Sequence, residues 1–340
     1  MLSIRDLAQQ VGYSFTTVSR ALKDDPAIRA STRKKIREAA DRLGYRPNAL
    51  VQGVTRGRTR LIAMIGSNLA SHGLARQFAN VSDFLRGRGY PLIALNSNND
   101  LEQEQDCFRL AVDYRVSGVI LHSTIVFSSE DHFKPLIDAN IPFVFAKEYS
   151  TEMKVPHIYR DDQIAINEAV TEAVAYGHRH FAHIAGDMAS IKDSNRLKCY
   201  RRALAEFDIN LETGCIFDTD WMLESAERAT MQLFGKHPQT TFIFAANDEI
   251  AFGVYRACNK LRKRIPEDVS VLGSGDMQLA RALSPALSTI NPKAKEIGAT
   301  CCEVLFELIE KPDFSYTKDH SRTVTVKGEY IGRSSIGPVR

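Results

Sequence analysis

Apolar residues recur at three- and four-residue steps near the start of the chain, the spacing that places side chains on one face of an α-helix. The first such stretch consists of Ile4, Leu7, Ala8 and Val11. Gly12 follows it, and a glycine just beyond a helix adopts the positive φ that ends the helix without steric cost. The pattern therefore predicts a first helix that stops at Gly12.

A second helix is predicted over residues 15–23, because the Ser14 hydroxyl can cap its free N–H groups. A third helix is predicted over residues 31–43. The outward residues near the start of the second helix are Phe15, Thr16, Thr17 and Arg20. Two short helices joined by a tight turn form a helix-turn-helix, whose second helix enters the major groove of DNA. Arginine can bond guanine O6 and N7 together, and threonine offers a hydroxyl and a methyl group to base edges.

From residue 61 onward, short apolar segments alternate with amphipathic ones, which predicts parallel strands with crossover helices. The rhythm runs through LIAMI, YPLIAL, GVIL and FVFA, then restarts with FAHIAG, IFDT, FIFAA and VSVLGS. Two rounds predict two doubly wound lobes, with a ligand cleft where the carboxyl ends of their strands meet. The predicted fold class is α/β, with an all-α headpiece in front of a two-lobed core.

These patterns divide the chain into four parts. The headpiece is residues 1–46, and a hinge and linker occupy residues 47–60. The first lobe is residues 61–160 with about 291–321, and the second lobe is residues 161–290 with about 322–340. A helix over residues 293–310 and a last strand near residues 322–329 are expected to cross back between the lobes.

Charge is distributed unevenly between these parts. Residues 1–60 contain 13 Lys and Arg against 5 Asp and Glu, whereas the remaining residues contain 31 against 36. A basic segment on a mildly acidic protein is the electrostatic footprint of nucleic-acid binding, because each neutralised phosphate releases condensed counterions. A solvated basic face would explain any single run of lysines but explains the whole segment less well.

Other classes of function find little support in the composition. No apolar run is long enough for a bilayer span, and Arg5 and Asp6 interrupt the place where a signal peptide would begin its apolar segment, so a cytoplasmic, nucleoid-associated protein is expected. The six cysteines are scattered without metal-ligand spacing, and YGHRHFAHIAG is interpreted as a turn entering a strand rather than as a metal site. No cofactor is expected, because LIAMIGSNLAS lacks the glycines of a dinucleotide-binding loop.

Two segments carry a family resemblance. The pattern I-x-D-L-A-x-x-V-G-x-S-x-T-T-V-S-R-A-L, followed by S-T-R-x-x-I-x-x-A-A-x-x-L-G-Y-R-P-N-A, closely resembles the headpiece of the lactose repressor and purine repressor family of bacterial transcriptional regulators. LSPALSTI with the helix and strand after it looks like that family's core, which is similar to periplasmic sugar-binding proteins. The resemblance covers essentially the whole chain. It implies a dimer on a palindromic operator and a small-molecule effector between the lobes.

The resemblance also implies which residues meet DNA. In the family the second helix reads the major groove, and the segment after Pro47 forms a hinge helix in the minor groove. The positions carried over are Ser14, Phe15, Thr16, Thr17, Ser19, Arg20, Asn48, Ala49 and Val54. Family hinges commonly have a leucine at the position of Val54, where it wedges into a base step. Valine is a shorter wedge, and the preceding Gly53 weakens the helix by about 1 kcal/mol.

Effector contacts are implied at four positions of the core. Arg196 can place a forked pair of hydrogen bonds on hydroxyls or a carboxylate, although a surface arginine is the simpler interpretation. Asn247 and Asp248 follow a strand, where they could contact a ligand or only cap a helix. Trp221, the single tryptophan, could belong to the core but matches an aromatic position that stacks on the effector in relatives.

The remaining effector candidates are Asp276, Lys192 and His72. The family motif of glycine, an aromatic residue and two aspartates reads here Gly273, Ser274, Gly275 and Asp276. Either Asp276 therefore replaces the missing aspartate, or the pocket accepts a different chemical group. Charged candidates suit a sugar, a sugar acid or a sugar phosphate, and a purine-type corepressor is the alternative.

Two rival functions remain on the sequence. A solute-binding protein of sugar transport has a two-lobed body but needs export and no basic headpiece. An enzyme such as a dehydrogenase needs a cofactor loop or a set of nucleophile, base and orienting residue, and the sequence supplies neither. A ligand-responsive transcriptional regulator, most simply a repressor, is the function that the sequence favours.

Overall fold

The computed structural model describes residues 2–46, 59–122, 130–146, 153–187 and 195–339. The chain divides into two compact units, Met1–Arg60 and Leu61–Arg340, called here the N-terminal unit and the core unit. All six cysteines carry free thiols, and all except Cys215 are buried.

The N-terminal unit contains three helices, α1 (Ile4–Val11), α2 (Phe15–Leu22) and α3 (Ala30–Arg42). Ser3 caps α1, and Gly12 ends it with a φ of 72°. Ser14 caps α2, which ends one residue before the predicted end. The small core buries apolar residues of all three helices, including Leu7, Val18 and Ile36. The predicted three-helix headpiece is confirmed.

The first lobe of the core unit is built on a six-stranded parallel sheet in the order β11-β5-β4-β3-β1-β2. Its strands are β1 (Ile62–Gly66), β2 (Leu92–Asn96), β3 (Gly118–Leu121), β4 (Phe143–Phe145), β5 (Pro156–Asp161) and β11 (Arg322–Lys327). The helices are α4 (His72–Arg86), α5 (Leu101–Asp113), α6 (Lys134–Asp138) and α12 (Ala294–Ile309), with a 3₁₀ turn at Glu130–Phe133. Apolar clusters lie on both faces of the sheet, as a parallel sheet requires.

The second lobe repeats this plan in the order β12-β10-β9-β8-β6-β7. Its strands are β6 (Phe181–Ile184), β7 (Ile216–Phe217), β8 (Phe242–Ala245), β9 (Ser270–Ser274), β10 (Ser288–Asn291) and β12 (Glu329–Ile331), the last antiparallel to β10. The helices are α7 (Gln163–Ala175), α8 (Asn195–Ala205), α9 (Leu223–Lys236), α10 (Asp248–Lys260) and α11 (Gln278–Ala282), with a 3₁₀ turn at Thr213–Cys215. The α/β class with two lobes is confirmed.

The path between the lobes corrects one predicted boundary. Residues from 322 onward were expected in the second lobe, but β11 pairs in parallel with β5 across six residue pairs of the first sheet. The last of the crossings between the lobes is therefore at Gly328, between β11 and β12. Strand pairing decides the lobe here, because a strand's backbone bonds are completed by a neighbour that local periodicity does not identify.

Candidate functional site

Helix α2 presents a largely polar surface at its N-terminal end. The Ser14 hydroxyl accepts a hydrogen bond from the Thr17 N–H at 3.1 Å and lies 2.9 Å from the Thr17 hydroxyl. Phe15 is 51% exposed, and Thr16 and Arg20 are also exposed. Val18 and Ala21 are fully buried. This face is therefore free for a partner, and Ser14 acts first as the cap that starts the helix.

The basic residues of α3 are partly engaged within the N-terminal unit. Arg33 donates to the carbonyl oxygens of Asp25 and Ile28 at 3.1 and 2.6 Å, and so anchors the loop between α2 and α3. Arg37 pairs with Asp24. Helix α3 thus stabilises the fold of the N-terminal unit as well as supplying positive charge.

Four of the candidate residues lie outside the described ranges. They are Asn48, Ala49 and Val54 of the hinge and Lys192 of the core.

The effector candidates of the second lobe gather at the carboxyl edge of its sheet. Arg196, in the first turn of α8, donates through Nη1 to the carbonyl oxygen of Ala246, the residue after β8. Burial, together with the nearby charge of Arg160, lowers the pKa of this guanidinium to about 10. Its Nε–H is buried without a hydrogen-bond partner and lies 3.9 Å from a carboxylate oxygen of Asp162. A ligand oxygen at this edge would offset the cost of burying that charge.

Asp162 and Arg160 are site residues that the sequence analysis missed. Arg160, on β5, donates through Nε to Asp162 at 2.7 Å and through Nη2 to the Ser274 hydroxyl at 2.9 Å. This chain of contacts joins the first crossover between the lobes to the carboxyl end of β9. The available signal was a charged pair at the end of a strand, Arg160 on β5 and Asp162 just after it, but only the fold brings Arg196 beside them.

Asn247 and Trp221 lie at the same edge. The Asn247 side-chain oxygen caps α10 by accepting from the Ile250 N–H at 2.7 Å, which leaves its amide nitrogen as the group able to meet a ligand. Trp221 is half-buried after β7, and its indole crosses the backbone of Gly186. A Cβ at that glycine would lie 2.1 Å from the ring, so no other residue fits. For Asn247, the helix-capping interpretation therefore holds for the side-chain oxygen alone.

Asp248, predicted as an effector contact, is engaged in hydrogen bonds within the second lobe. Its side chain is fully buried, and its two oxygens accept from the Thr289 hydroxyl at 2.6 Å and the Met277 N–H at 2.7 Å. Burial raises the pKa of the carboxyl, and these hydrogen bonds oppose the rise. Each carboxylate oxygen of Asp248 thus accepts a hydrogen bond, and the two bonds connect α10 to the segment after β9 and to β10.

Asp276, also predicted as an effector contact, is likewise engaged in hydrogen bonds within the second lobe. Its carboxylate is 4% exposed and accepts from Arg333, from Arg281 at 3.1 Å and from the Asn291 amide at 3.2 Å. Burial alone would raise the pKa of this carboxyl, but the hydrogen bonds from the two arginines outweigh burial and lower it. The charge of Asp276 is therefore balanced by two arginines of the same lobe.

The first lobe contributes its edge through the start of α4. His72 is exposed in the first turn. One turn later, Arg76 donates through Nη1 to the carbonyl oxygens of Gly275 and Asp276, both at 3.1 Å. Arg76 is therefore a direct contact between the lobes, and nothing local in the sequence indicates it.

The histidines of YGHRHFAHIAG separate in the structure. His178 bonds the Gly337 carbonyl at 2.9 Å and His183 bonds the Phe244 carbonyl at 2.8 Å, both buried, while His180 is exposed. Within the described ranges, no group of three or more histidine, cysteine or acidic side chains is arranged to hold a metal ion. No helix among the described residues has the length and apolar character to cross a membrane.

Two family models match the chain. Residues 3–48 match the bacterial regulatory proteins of the lacI family, and residues 170–336 match a periplasmic binding protein-like domain. Catabolite control protein A of Priestia megaterium is 27% identical over 311 residues, which cover 91% of this chain and 93% of that protein. The HTH-type transcriptional repressor PurR of Vibrio atlanticus (strain LGP32) is 26% identical over 339 residues, which cover 99% of both chains.

Solved structures share the whole fold. The lac repressor dimer bound to operator and the anti-inducer ONPF superposes with a TM-score of 0.85 at 24% identity, covering 99% of both chains. The transcriptional regulator CelR in complex with cellobiose superposes with a TM-score of 0.72 at 22% identity, covering 98% of this chain and all of that one.

Proposed function

We propose that this chain, which belongs to the lacI family of bacterial regulatory proteins, is a ligand-responsive transcriptional repressor that binds a palindromic operator as a dimer. The observation that carries the proposal is the exposed polar end of α2, in the segment that matches the family model. The chain is a regulator and not an enzyme. It acts on DNA in the cytoplasm, in association with the nucleoid.

The proposed base and phosphate contacts are those of α2 and the hinge. They are Ser14, Phe15, Thr16, Thr17, Ser19, Arg20, Asn48, Ala49 and Val54. Exposure supports the residues of α2, because the buried Val18 and Ala21 orient the remaining side chains outward. A two-fold dimer would place two such helices on successive half-sites of a palindrome.

The proposed effector site is the carboxyl edge of the second lobe facing His72 of the first. Arg196, Asn247 and Trp221 offer a forked donor, an amide and a flat apolar ring, which suit the hydroxyls and the apolar face of a sugar or sugar acid. Lys192, Asp248 and Asp276 stay candidates of this site, and Asp162 adds a carboxylate 3.9 Å from Arg196. The relative CelR was solved with cellobiose, which supports the sugar class.

Two alternatives are separated by direct binding experiments. A gel shift on palindromic half-sites at moderate salt tests DNA binding, and a chain without sequence preference would be a solute-binding protein instead. A thermal-shift screen against sugars, sugar acids, sugar phosphates and purines tests the effector class. A ligand at 100 times its Kd stabilises the protein by about 2.7 kcal/mol, and a response to purines alone would indicate a purine-type corepressor.

Arg20→Ala is expected to weaken operator binding by about 1 to 3 kcal/mol and to relax the preference at one operator position. The reason is the loss of a forked contact to a base edge from an exposed side chain of α2. Selection of binding sites from random duplex DNA measures the preference. Lys34→Ala, at a 79% exposed side chain of α3, should weaken binding to all sequences alike. An unchanged preference in the Arg20 variant contradicts the assignment.

The two lobes of the core unit are coupled through their contact. A ligand that binds both edges favours one relative orientation of the lobes, and a rotation between them alters the spacing of paired hinges in a dimer. By linkage, operator DNA then changes effector affinity by the same factor.

Arg76→Ala is expected to raise the effector Kd about tenfold, because a contact of about 1.5 kcal/mol between the lobes is lost. Isothermal titration with the ligand found in the screen measures the change. Arg86→Ala is the matched control, since Arg86 lies on the same helix but pairs only with the exposed Asp83 at 3.4 Å. Equal affinities for the two variants would show that Arg76 does not hold the lobes together.

A further inference from the structure

Arg20 of the recognition helix is held by a residue outside that helix. Its Nε donates to one carboxylate oxygen of Asp25 at 2.7 Å. Asp25 lies in the loop between α2 and α3, and the Arg20 side chain stays 47% exposed. The hydrogen bond that Arg20 donates to Asp25 raises the pKa of Arg20 and lowers the pKa of Asp25. The pair is thus an ion pair on the surface that α2 offers to DNA.

The loop fixes Asp25 relative to Arg20. The Asp25 N–H donates to the carbonyl oxygen of Arg20 at 3.1 Å, so the two residues are joined through both backbone and side chains. The second carboxylate oxygen of Asp25 accepts from the Ala27 N–H at 2.9 Å. The half-buried Arg33 side chain donates to the Asp25 carbonyl. Two hydrogen bonds at the backbone of Asp25 and two at its carboxylate therefore hold this residue in one place.

Asp25 bonds Nε of Arg20 and leaves the two terminal nitrogens, Nη1 and Nη2, for another partner. A guanidinium contacts guanine through two N–H groups in one plane. Asp25 takes the Nε–H on one side of the guanidinium, which leaves the pair of N–H groups at its end, one on Nη1 and one on Nη2, for a base. Fixing the plane of the fork before binding removes rotamer freedom that would otherwise be lost on the DNA.

We propose that Asp25 is a positioning residue that orients the Arg20 guanidinium for a forked contact with a guanine and so sets the sequence preference of the recognition helix. The inference rests on the proposed function. It assigns to a residue outside the helix a share of the operator preference. Asp25 also places a negative charge near the phosphates, which weakens binding to DNA of every sequence. The charge acts on all sequences alike, so only the positioning of Arg20 increases the ratio of specific to non-specific affinity.

The Asp25→Asn variant separates positioning from folding. Asparagine has one acceptor oxygen where aspartate has two, so it can accept from Ala27 or from Arg20 but not from both. Asp24→Asn is the matched control. It removes an equal charge from the same loop, and Asp24 pairs with Arg37 and Arg33 instead of Arg20. Asparagine also tolerates the φ of 59° at that position.

The experiment measures the Kd of the full chain for a duplex selected by the wild type and for a scrambled duplex of equal length, over several salt concentrations. Asp25→Asn is expected to lower the affinity ratio of the two duplexes about tenfold, with a relaxed preference at a single base pair. Asp24→Asn is expected to raise both affinities and keep the ratio. In an Arg20→Ala background, Asp25→Asn should change the ratio no further. Circular dichroism checks that each variant is folded.

An unchanged ratio in Asp25→Asn, or a fall of the same size in the Arg20→Ala background, overturns the inference. A wild-type chain without preference between the duplexes overturns the proposed function and this inference with it. A wild-type preference that Asp25→Asn leaves intact overturns the inference alone.

Discussion

Replacement of Asp276 by alanine is expected to lower the free energy of unfolding of the core unit by about 3 to 5 kcal/mol. The Asp276 side chain is 3% exposed and its partner Arg333 is 13% exposed, so the substitution leaves a guanidinium buried without its counter-charge. Arg333 cannot retreat easily, because it also donates to the Leu287 carbonyl at 2.7 Å. Denaturant unfolding followed by circular dichroism measures the loss.

The matched control for this variant is Asp313→Ala. Asp313 pairs with Lys318, but its side chain is 63% exposed and that of the lysine is 47% exposed, so the loss should stay below about 1 kcal/mol. A small loss of unfolding free energy in Asp276→Ala, combined with a lost effector response, would instead support the prediction that Asp276 contacts the effector.

The pH dependence of the same pair has a defined sign. The folded-state pKa of Asp276 is lowered, so its ion pair contributes stability above the unfolded-state pKa of about 3.9 and loses that contribution as the pH falls through the lower folded value. The difference between wild type and Asp276→Ala should therefore be full at pH 7 and narrow progressively below about pH 4.

Arg196→Ala is expected to abolish the effector response while operator binding is kept. Truncating a buried, hydrogen-bonded charge that meets a ligand costs about 3 kcal/mol, which raises the effector Kd roughly 100-fold. Fluorescence anisotropy of labelled operator, titrated with the ligand from the thermal-shift screen, measures the response. The operator Kd without ligand should match that of the wild type.

Arg202→Ala is the control for this variant, since Arg202 lies on the same helix and is exposed. The midpoint ligand concentration of its response should equal that of the wild type. A normal response midpoint in Arg196→Ala would show that the effector binds elsewhere in the core unit.

The headpiece was predicted closely because its signals are local. Ser14 and Gly12 determine where helices start and stop through hydrogen bonds and φ angles within a few residues. The apolar spacing then fixes which side of α2 is buried, and hence which side is exposed. GVIL is similarly a strand with the predicted ends, Gly118–Leu121, because a fully buried parallel strand is a continuous apolar run.

The candidate site was predicted less well because its signals are not local. The sequence places an acidic residue after a strand at Asp248 and Asp276, and strand ends do face the cleft. Whether each carboxylate turns to the ligand or inward depends on donors that arrive from distant segments. Arg333 is 57 residues from Asp276, and Thr289 is 41 residues from Asp248.

By itself the sequence determined the helix-turn-helix, its basic surface, the alternation of strands and helices, and the presence of two lobes, since each follows from periodicity, capping and charge over short spans. Only the tertiary structure decided that Arg322–Lys327 completes the first sheet, that Arg76 joins the lobes and that Arg160, Asp162 and Arg196 meet. The physical reason is that a hydrogen bond or ion pair needs both partners within about 3 to 4 Å, and chain folding alone sets which distant residues come that close.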